Sequence, residues 1–384
     1  MTGSRPQAYI VDAVRTPTGR RGGGLSGLHP ADLLGDVFAA LLERTGVDPA
    51  RVDDVIAGCV AQLGEQAWNV GRNAWLSAGL PVEVPAVTID RQCGSSQQAV
   101  QFAAQAVKSG EQDLVVAGGV EVMSRVPLNS SGDPKLGYGY PFGGAGWAKH
   151  YGDEEIHQFR GGDLIAEKWG IDREAMFDLA IASHAKAARA HDEGRFAGQL
   201  LEVAGVTADE GVRRSSDREK MRSIPPIREG GIHNAPLASQ IADGAAAVLV
   251  ASDRAVEQFG LTPIARVHTA TVVGSDPVLI LSGPIPATRR VLDRAGLTVD
   301  DIDLYECNEA FAAVVLAWAK DLGVDLDRVN VNGGAMALGH PLGASGARLM
   351  TTLVHELRRT GARYGLQTMC EGGGLANATI LERV

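Results

Sequence analysis

The chain has 384 residues, 45% hydrophobic and 21% charged, which suits a folded protein of two or three domains and excludes disordered, collagen-like and coiled-coil organisation. Its formal charge of −10 argues against a general nucleic-acid partner, while leaving room for a local basic patch toward a phosphorylated small molecule. No stretch reaches the roughly 18–20 apolar residues of a membrane span, the N-terminus lacks a secretory apolar segment, and four cysteines without a C-x-x-C pair point to reduced thiols in a cytoplasmic protein with no metal centre.

Short apolar runs alternate with Ala-rich amphipathic stretches, the pattern of an α/β fold. Residues 84–89 predict a buried strand, and 95–108 a helix with Val100, Ala103, Ala104 and Val107 on one face and Gly110 as its stop. Between the two sits Cys93. A cysteine at a helix N-terminus lies near unpaired backbone N–H groups, which favour the thiolate, the nucleophilic form. An inert buried cysteine explains the residue equally well at this stage.

Further strands are predicted at 113–117, 246–251, 329–331 and 364–369. From 121 to 240 the chain is richer in Gly, Pro, Arg and His and reads as an insertion with one helix pair at 163–191. The segment LLERTGVDPARVDDVIAG (41–58) parallels VLDRAGLTVDDIDLYE (291–306) at a spacing of about 250 residues, which predicts two similar α/β halves with a site between them. The expected division is 1–120 with 241–265, an inserted 121–240, and 266–384.

Three further segments carry chemistry-bearing residues. CNEAFA (307–312) places Asn308 after a strand, either as a helix cap or as a polar group aimed at a site. ALGHPLGASGARLM (337–350) holds His340 in a tight Gly/Pro loop, a place for a base that takes a proton from a thiol. Cys370 ends a strand before Gly372, Gly373 and Gly374, whose N–H groups could approach a ligand as an oxyanion hole requires.

Together these segments resemble the thiolases, the family of acetyl-CoA acetyltransferases and 3-ketoacyl-CoA thiolases. The matching strings are RQCGSSQQA (91–99), GGVEVMSR (118–125), NEAFA (308–312), NVNGGAMALGHPLGASGAR (330–348) and CEGGG (370–374). The resemblance implies a thiolase-like α/β fold of two pseudo-symmetric halves with an inserted loop domain. It implies reversible Claisen condensation and thiolytic cleavage of a 3-ketoacyl-CoA through an acyl-cysteine. Cys93 would be acylated, His340 would take its proton, and Cys370 would be the second acid/base. Asn308 and His340 would form one oxyanion hole, and the N–H groups of Cys93 and Gly372 the other.

The same resemblance makes Arg213, within DEGVR (209–213), a candidate for the nucleotide end of CoA. It puts Ser239 and Phe311 near pantetheine, and Gln158 as a further CoA contact. Coenzyme A and acetyl-CoA would enter as substrates, with no permanently bound cofactor. The expected partners are acyl-CoA and a second copy of the chain in a homodimer or homotetramer, with no nucleic acid and no membrane. Departures are IHQFRGGD (156–163) where many thiolases carry His-Met-Gly, Ile280 for a frequent Met, and Pro236 for a Gly. The first resembles actinobacterial thiolases of steroid side-chain breakdown and points to a bulky or branched acyl chain. A ketoacyl-synthase reading is opposed by NEAFA and by the second cysteine.

Overall fold

Where Val, Leu, Ala and Gly run together without a polar face, the chain forms strands covered on both sides, as parallel and sandwiched sheets require. The computed structural model describes residues 6–384. Its strands, in chain order, are β1 (Ala8–Arg15), β2 (Gly19–Arg20), β3 (Asp54–Gly58), β4 (Ala86–Ile89), β5 (Leu114–Val122), β6 (Ala242–Ser252), β7 (Ala265–Gly274), β8 (Leu304–Cys307), β9 (Tyr364–Glu371) and β10 (Leu375–Arg383). They hydrogen-bond in the order β4-β3-β5-β6-β1-β7-β10-β9-β8, with β2 added to β6. Every residue of β5 and β6 is buried.

The order contains the repeat. β3 runs parallel to β5, and β8 parallel to β9. β6 is antiparallel to β5 and β1, as β10 is to β9 and β7. The halves meet where β1 pairs with β7, through Tyr9–Arg266 and Ile10–Ala265 alone.

Twelve helices complete the described chain: α1 (Pro30–Thr45), α2 (Val70–Ser77), α3 (Ser95–Ser109), α4 (Ala145–Tyr151), α5 (Gln158–Trp169), α6 (Arg173–Asp192), α7 (Arg218–Ser223), α8 (Asp253–Phe259), α9 (Pro284–Ala295), α10 (Ala312–Leu322), α11 (Ala335–Leu338) and α12 (Leu342–Thr360). α1 and α9 match in detail. Each has proline in its first turn and ends on a left-handed glycine, Gly46 or Gly296. α2 and α10 each bury a tryptophan completely, Trp75 and Trp318.

α1 and α2 cover the outer face of the first half, and α9 and α10 that of the second. α3 and α12 pack against each other and against β5 and β6. Glycines let α12 approach closely: a Cβ on Gly346 would lie 2.1 Å from the Gln97 nitrogen of α3, and one on Gly119 of β5 would lie 2.2 Å from the Gly343 oxygen. Gln367 of β9 donates its side-chain amide to Gln97 Oε1 at 3.0 Å.

Some expected boundaries move. β5 continues to Val122 and β6 starts at Ala242, so the excursion from the sheet spans 123–241 and carries α4 to α7. The helix pair is α5 and α6, reaching back to Gln158. The strand expected at 329–331 is not formed; only Val329 bridges Tyr305. Asn330 takes a left-handed φ of 46°, and its side-chain amide satisfies both the N–H and the C=O of Cys307, at 3.0 and 2.8 Å. A side chain thus does the work of a strand neighbour, and no ladder extends.

Candidate active site

Cys93 lies in the turn that joins β4 to α3, two residues before the helix begins. It is half-buried and lines a cavity of about 1210 Å³. The backbone N–H groups of Cys93 itself and of Gly372, on the turn after β9, both act on its sulfur and favour its charged form. Two chain segments about 280 residues apart therefore converge on one sulfur atom.

The helix-end position favours the thiolate, but burial opposes it. Burial pushes the Cys93 thiol up to about 12, and the nearby Glu371 adds to the effect. The two amides pull the other way but do not offset the lost hydration. Cys93 rests as a neutral thiol.

His340 sits in the loop between α11 and α12, buried against the same cavity. Its Nδ1 is 2.6 Å from Ser345 Oγ, and that hydroxyl donates to the Pro341 carbonyl at 2.8 Å. With its only proton committed, Ser345 accepts from Nδ1–H, and Nε2 carries the lone pair. Burial, with Arg348 second, lowers His340 to about 3, so the ring is neutral. A neutral thiol and a neutral imidazole hold no charge in the apolar site until reaction creates one.

Asn308 does not open a helix; α10 starts at Ala312. Its Nδ2 lies 3.3 Å from His340 Nε2, and its Oδ1 has no partner among the described residues. Cys370 is fully buried at the end of β9, and burial raises its thiol far above the ordinary range. After burial, Cys93 is the ionisable group that weighs most on that shift, which sets the two sulfurs in one locale.

The remaining expected residues divide along the cavity wall. Gly372, Ser239, Phe311, Gln158 and Arg213 all line it. Phe311 is held edge-on by Phe159 at 4.9 Å and His233 at 5.5 Å between ring centres. Ser239 donates its N–H to Ala310 at 2.9 Å, which ties its loop to Phe311. Asp209, the first residue of DEGVR, lies elsewhere: it is buried in a bidentate pair with Arg15 at 2.7 and 3.0 Å. Arg20, Arg21 and Arg91 join Arg213 on the wall, a local basic lining within an acidic chain.

Three carboxylates were overlooked as site builders. Glu121 accepts from Val60 N, Ala61 N and Gln66 Nε2 in the first half and from Gly343 N in the second, at 2.7–3.1 Å. It thereby fixes the start of α12, three residues beyond His340. Glu309 accepts from Ser183, Asn330 and Met336 and seats against Gly334, where a Cβ would lie 2.2 Å from its Cδ. The signal was present as an acidic residue beside Gly-rich strings, but its partners lie 20 to 220 residues away. Glu371, between Cys370 and Gly372, is also buried.

The arrangement supplies a nucleophile, a base with a fixed lone pair, a second thiol and two converging N–H groups. The chain is similar to known proteins over nearly its whole length. The family model for the thiolase N-terminal domain matches residues 8–254, and that for the thiolase C-terminal domain matches 261–383. The chain is 54% identical to a steroid 3-ketoacyl-CoA thiolase of Mycobacterium tuberculosis, over 98% of this chain and 94% of that protein. It is 44% identical to a β-ketoadipyl-CoA thiolase of Acinetobacter baylyi, over 98% and 99% respectively. The crystal structure of an acetyl-CoA acetyltransferase from Bacillus anthracis is similar with a TM-score of 0.88 and 34% identity, covering all of both chains.

Proposed function

This chain belongs to the thiolase family and catalyses acyl transfer between CoA thioesters, and from that premise we propose how its residues divide the work. Cys93 Sγ attacks the 3-keto carbonyl carbon of a 3-ketoacyl-CoA while His340 Nε2 takes the thiol proton. The new oxyanion is held by the N–H groups of Cys93 and Gly372. Both act on Sγ, which sets them beside the position that an oxygen on a carbon bonded to that sulfur would take. This convergence is the observation that carries the reading.

Cleavage of the C–C bond then releases the enolate of acetyl-CoA. His340, now protonated on Nε2, donates to the enolate oxygen, with Asn308 beside it. Cys370 gives its proton to the enolate carbon. The resulting Cys370 thiolate takes the proton of an incoming CoA thiol, and the CoA sulfur attacks acyl-Cys93. Collapse expels the Cys93 sulfur, which regains its proton from His340. The resting protonation states return, and the condensation direction runs the same steps backward. Each oxyanion donor is worth roughly 3–4 kcal/mol to such a transition state.

Coenzyme A would lie along Ser239, Phe311 and Gln158 with its phosphates toward Arg213, all on the cavity wall. We propose a bulky or branched acyl group, in keeping with the steroid 3-ketoacyl-CoA thiolase among the relatives and with a cavity of about 1210 Å³. We further propose a homodimer or homotetramer in the cytoplasm, and three units: two α/β halves and the excursion between β5 and β6. No helix among the described residues is long and apolar enough to cross a membrane. The test is thiolysis: 3-ketoacyl-CoA substrates with straight, branched and polycyclic acyl groups are mixed with CoA, and loss of the ketothioester absorbance is followed. Fastest turnover is expected for the bulky acyl groups. Preference for straight chains removes the substrate proposal, and no turnover of any removes the residue roles.

A further inference from the structure

Glu371 is a fully buried ionisable side chain beside the nucleophile to which the mechanism gives no task. Neither carboxyl oxygen has a hydrogen-bond partner among the described residues. The carboxyl is wedged against the backbone next to Cys93: a Cβ on Gly94 would lie 1.9 Å from Glu371 Oε1. The groups around it are Asp90 and Arg91 from the turn before Cys93, Cys93 itself, the neighbouring Cys370, and the Asn377 backbone N–H from β10.

We propose that Glu371 is a positioning residue that acts through Cys93: the enzyme works with this carboxyl protonated, and its ionisation turns the nucleophile off. A buried carboxylate without partners is costly, so the neutral acid is the form the fold accommodates. Burial, with a smaller push from Asp90, raises Glu371 to about 8 against the pull of Arg91 and of the Asn377 backbone N–H. When it ionises, a negative charge appears beside the sulfur that must itself become negative, and beside the Cys93 and Gly372 amides that must hold an oxyanion. Glu371 thus sets an alkaline limit on acylation while touching neither substrate nor reacting atom.

The proposal rests on Cys93 being the nucleophile, and the experiment separates the two. Alkylation of Cys93 by iodoacetamide is followed by peptide mapping between about pH 6 and about pH 10 in the wild type and in Glu371→Gln. The rate ratio, variant over wild type, is expected to be near one at the acid end and to rise about tenfold above the Glu371 midpoint. A ratio that stays constant with pH overturns the inference, because a purely structural role has no reason to follow proton binding. Arg91→Gln gives an independent reading. It should move the alkaline fall of wild-type acylation to higher pH, and an unmoved limb also overturns the inference. Failure of thiolysis itself would leave the alkylation profile unchanged, so it cannot be mistaken for failure of the Glu371 coupling.

Discussion

Ser345 fixes the tautomer of His340: its hydroxyl donates to the Pro341 carbonyl and accepts from Nδ1, 2.6 Å away, which leaves Nε2 bare toward Asn308. The base is therefore prepared by α12 itself, one turn after the loop that carries it. Ser345→Ala should keep the fold and lower the rate of Cys93 acylation by acetyl-CoA about 10- to 100-fold. An acylation rate equal to that of the wild type in rapid-quench experiments would show that the tautomer is set elsewhere.

The two sulfurs should separate cleanly in half-reactions. Cys93→Ala is expected to yield no covalent acetyl by mass spectrometry and to lower thiolysis by at least roughly 10³. Cys370→Ala should still become acetylated on Cys93 but stall at formation or cleavage of the C–C bond. Full turnover by Cys370→Ala would contradict its role as the second acid/base.

His184 links acid pH to the cavity. It is buried on α6, and its Nδ1 accepts the Arg213 N–H at 3.1 Å. Burial, with Arg213 second, lowers it to about 4, below the unfolded value near 6.5. A histidine lowered in the fold contributes stability that is complete above its unfolded pKa and is lost as pH falls toward the folded one. Urea unfolding should thus show a loss between about pH 6.5 and about pH 4 of at most about 1.4 kcal/mol per unit from this residue. The KM for CoA should rise only as pH approaches about 4, where the folded His184 takes a proton and releases the Arg213 backbone. His184→Gln should flatten both trends, and an unchanged slope would count against the assignment.

Arg15 and Asp209 form a fully buried bidentate pair, with Arg15 lying over the Phe196 ring at 4.8 Å. The pair joins β1 to the segment that carries Arg213. Asp209→Asn leaves the guanidinium without its counter-charge and should destabilise the protein by about 3–5 kcal/mol. Because Asp209 lies away from the cavity, Cys93 should still acetylate at temperatures where the variant remains folded. A loss below about 1 kcal/mol in urea unfolding would refute the importance of the pair.

The parts of this molecule that announced themselves were local. The strand before Cys93, the helix after it, and the glycine stops of α1 and α9 depend on neighbours within a few residues, so their patterns survive in the sequence. The roughly 250-residue repeat was visible for the same reason, since it copies a local unit. What stayed hidden depends on distant partners. Val329 looked like strand, yet Asn330 replaces the ladder with its side chain. The helix end before which Cys93 stands favours the thiolate, yet burial raises its thiol well above the ordinary range. Glu121 joins residues from Val60 to Gly343, a link that no short window contains.

The position of β10 between β7 and β9 has a consequence for biosynthesis. On the ribosome, the first half is complete more than a hundred residues before the last interior strand leaves the exit tunnel. Until then β9, with Cys370, has no antiparallel neighbour, and Gly372 cannot meet Cys93. A nascent chain can fold its first half early, but the site is assembled only after β10 has emerged.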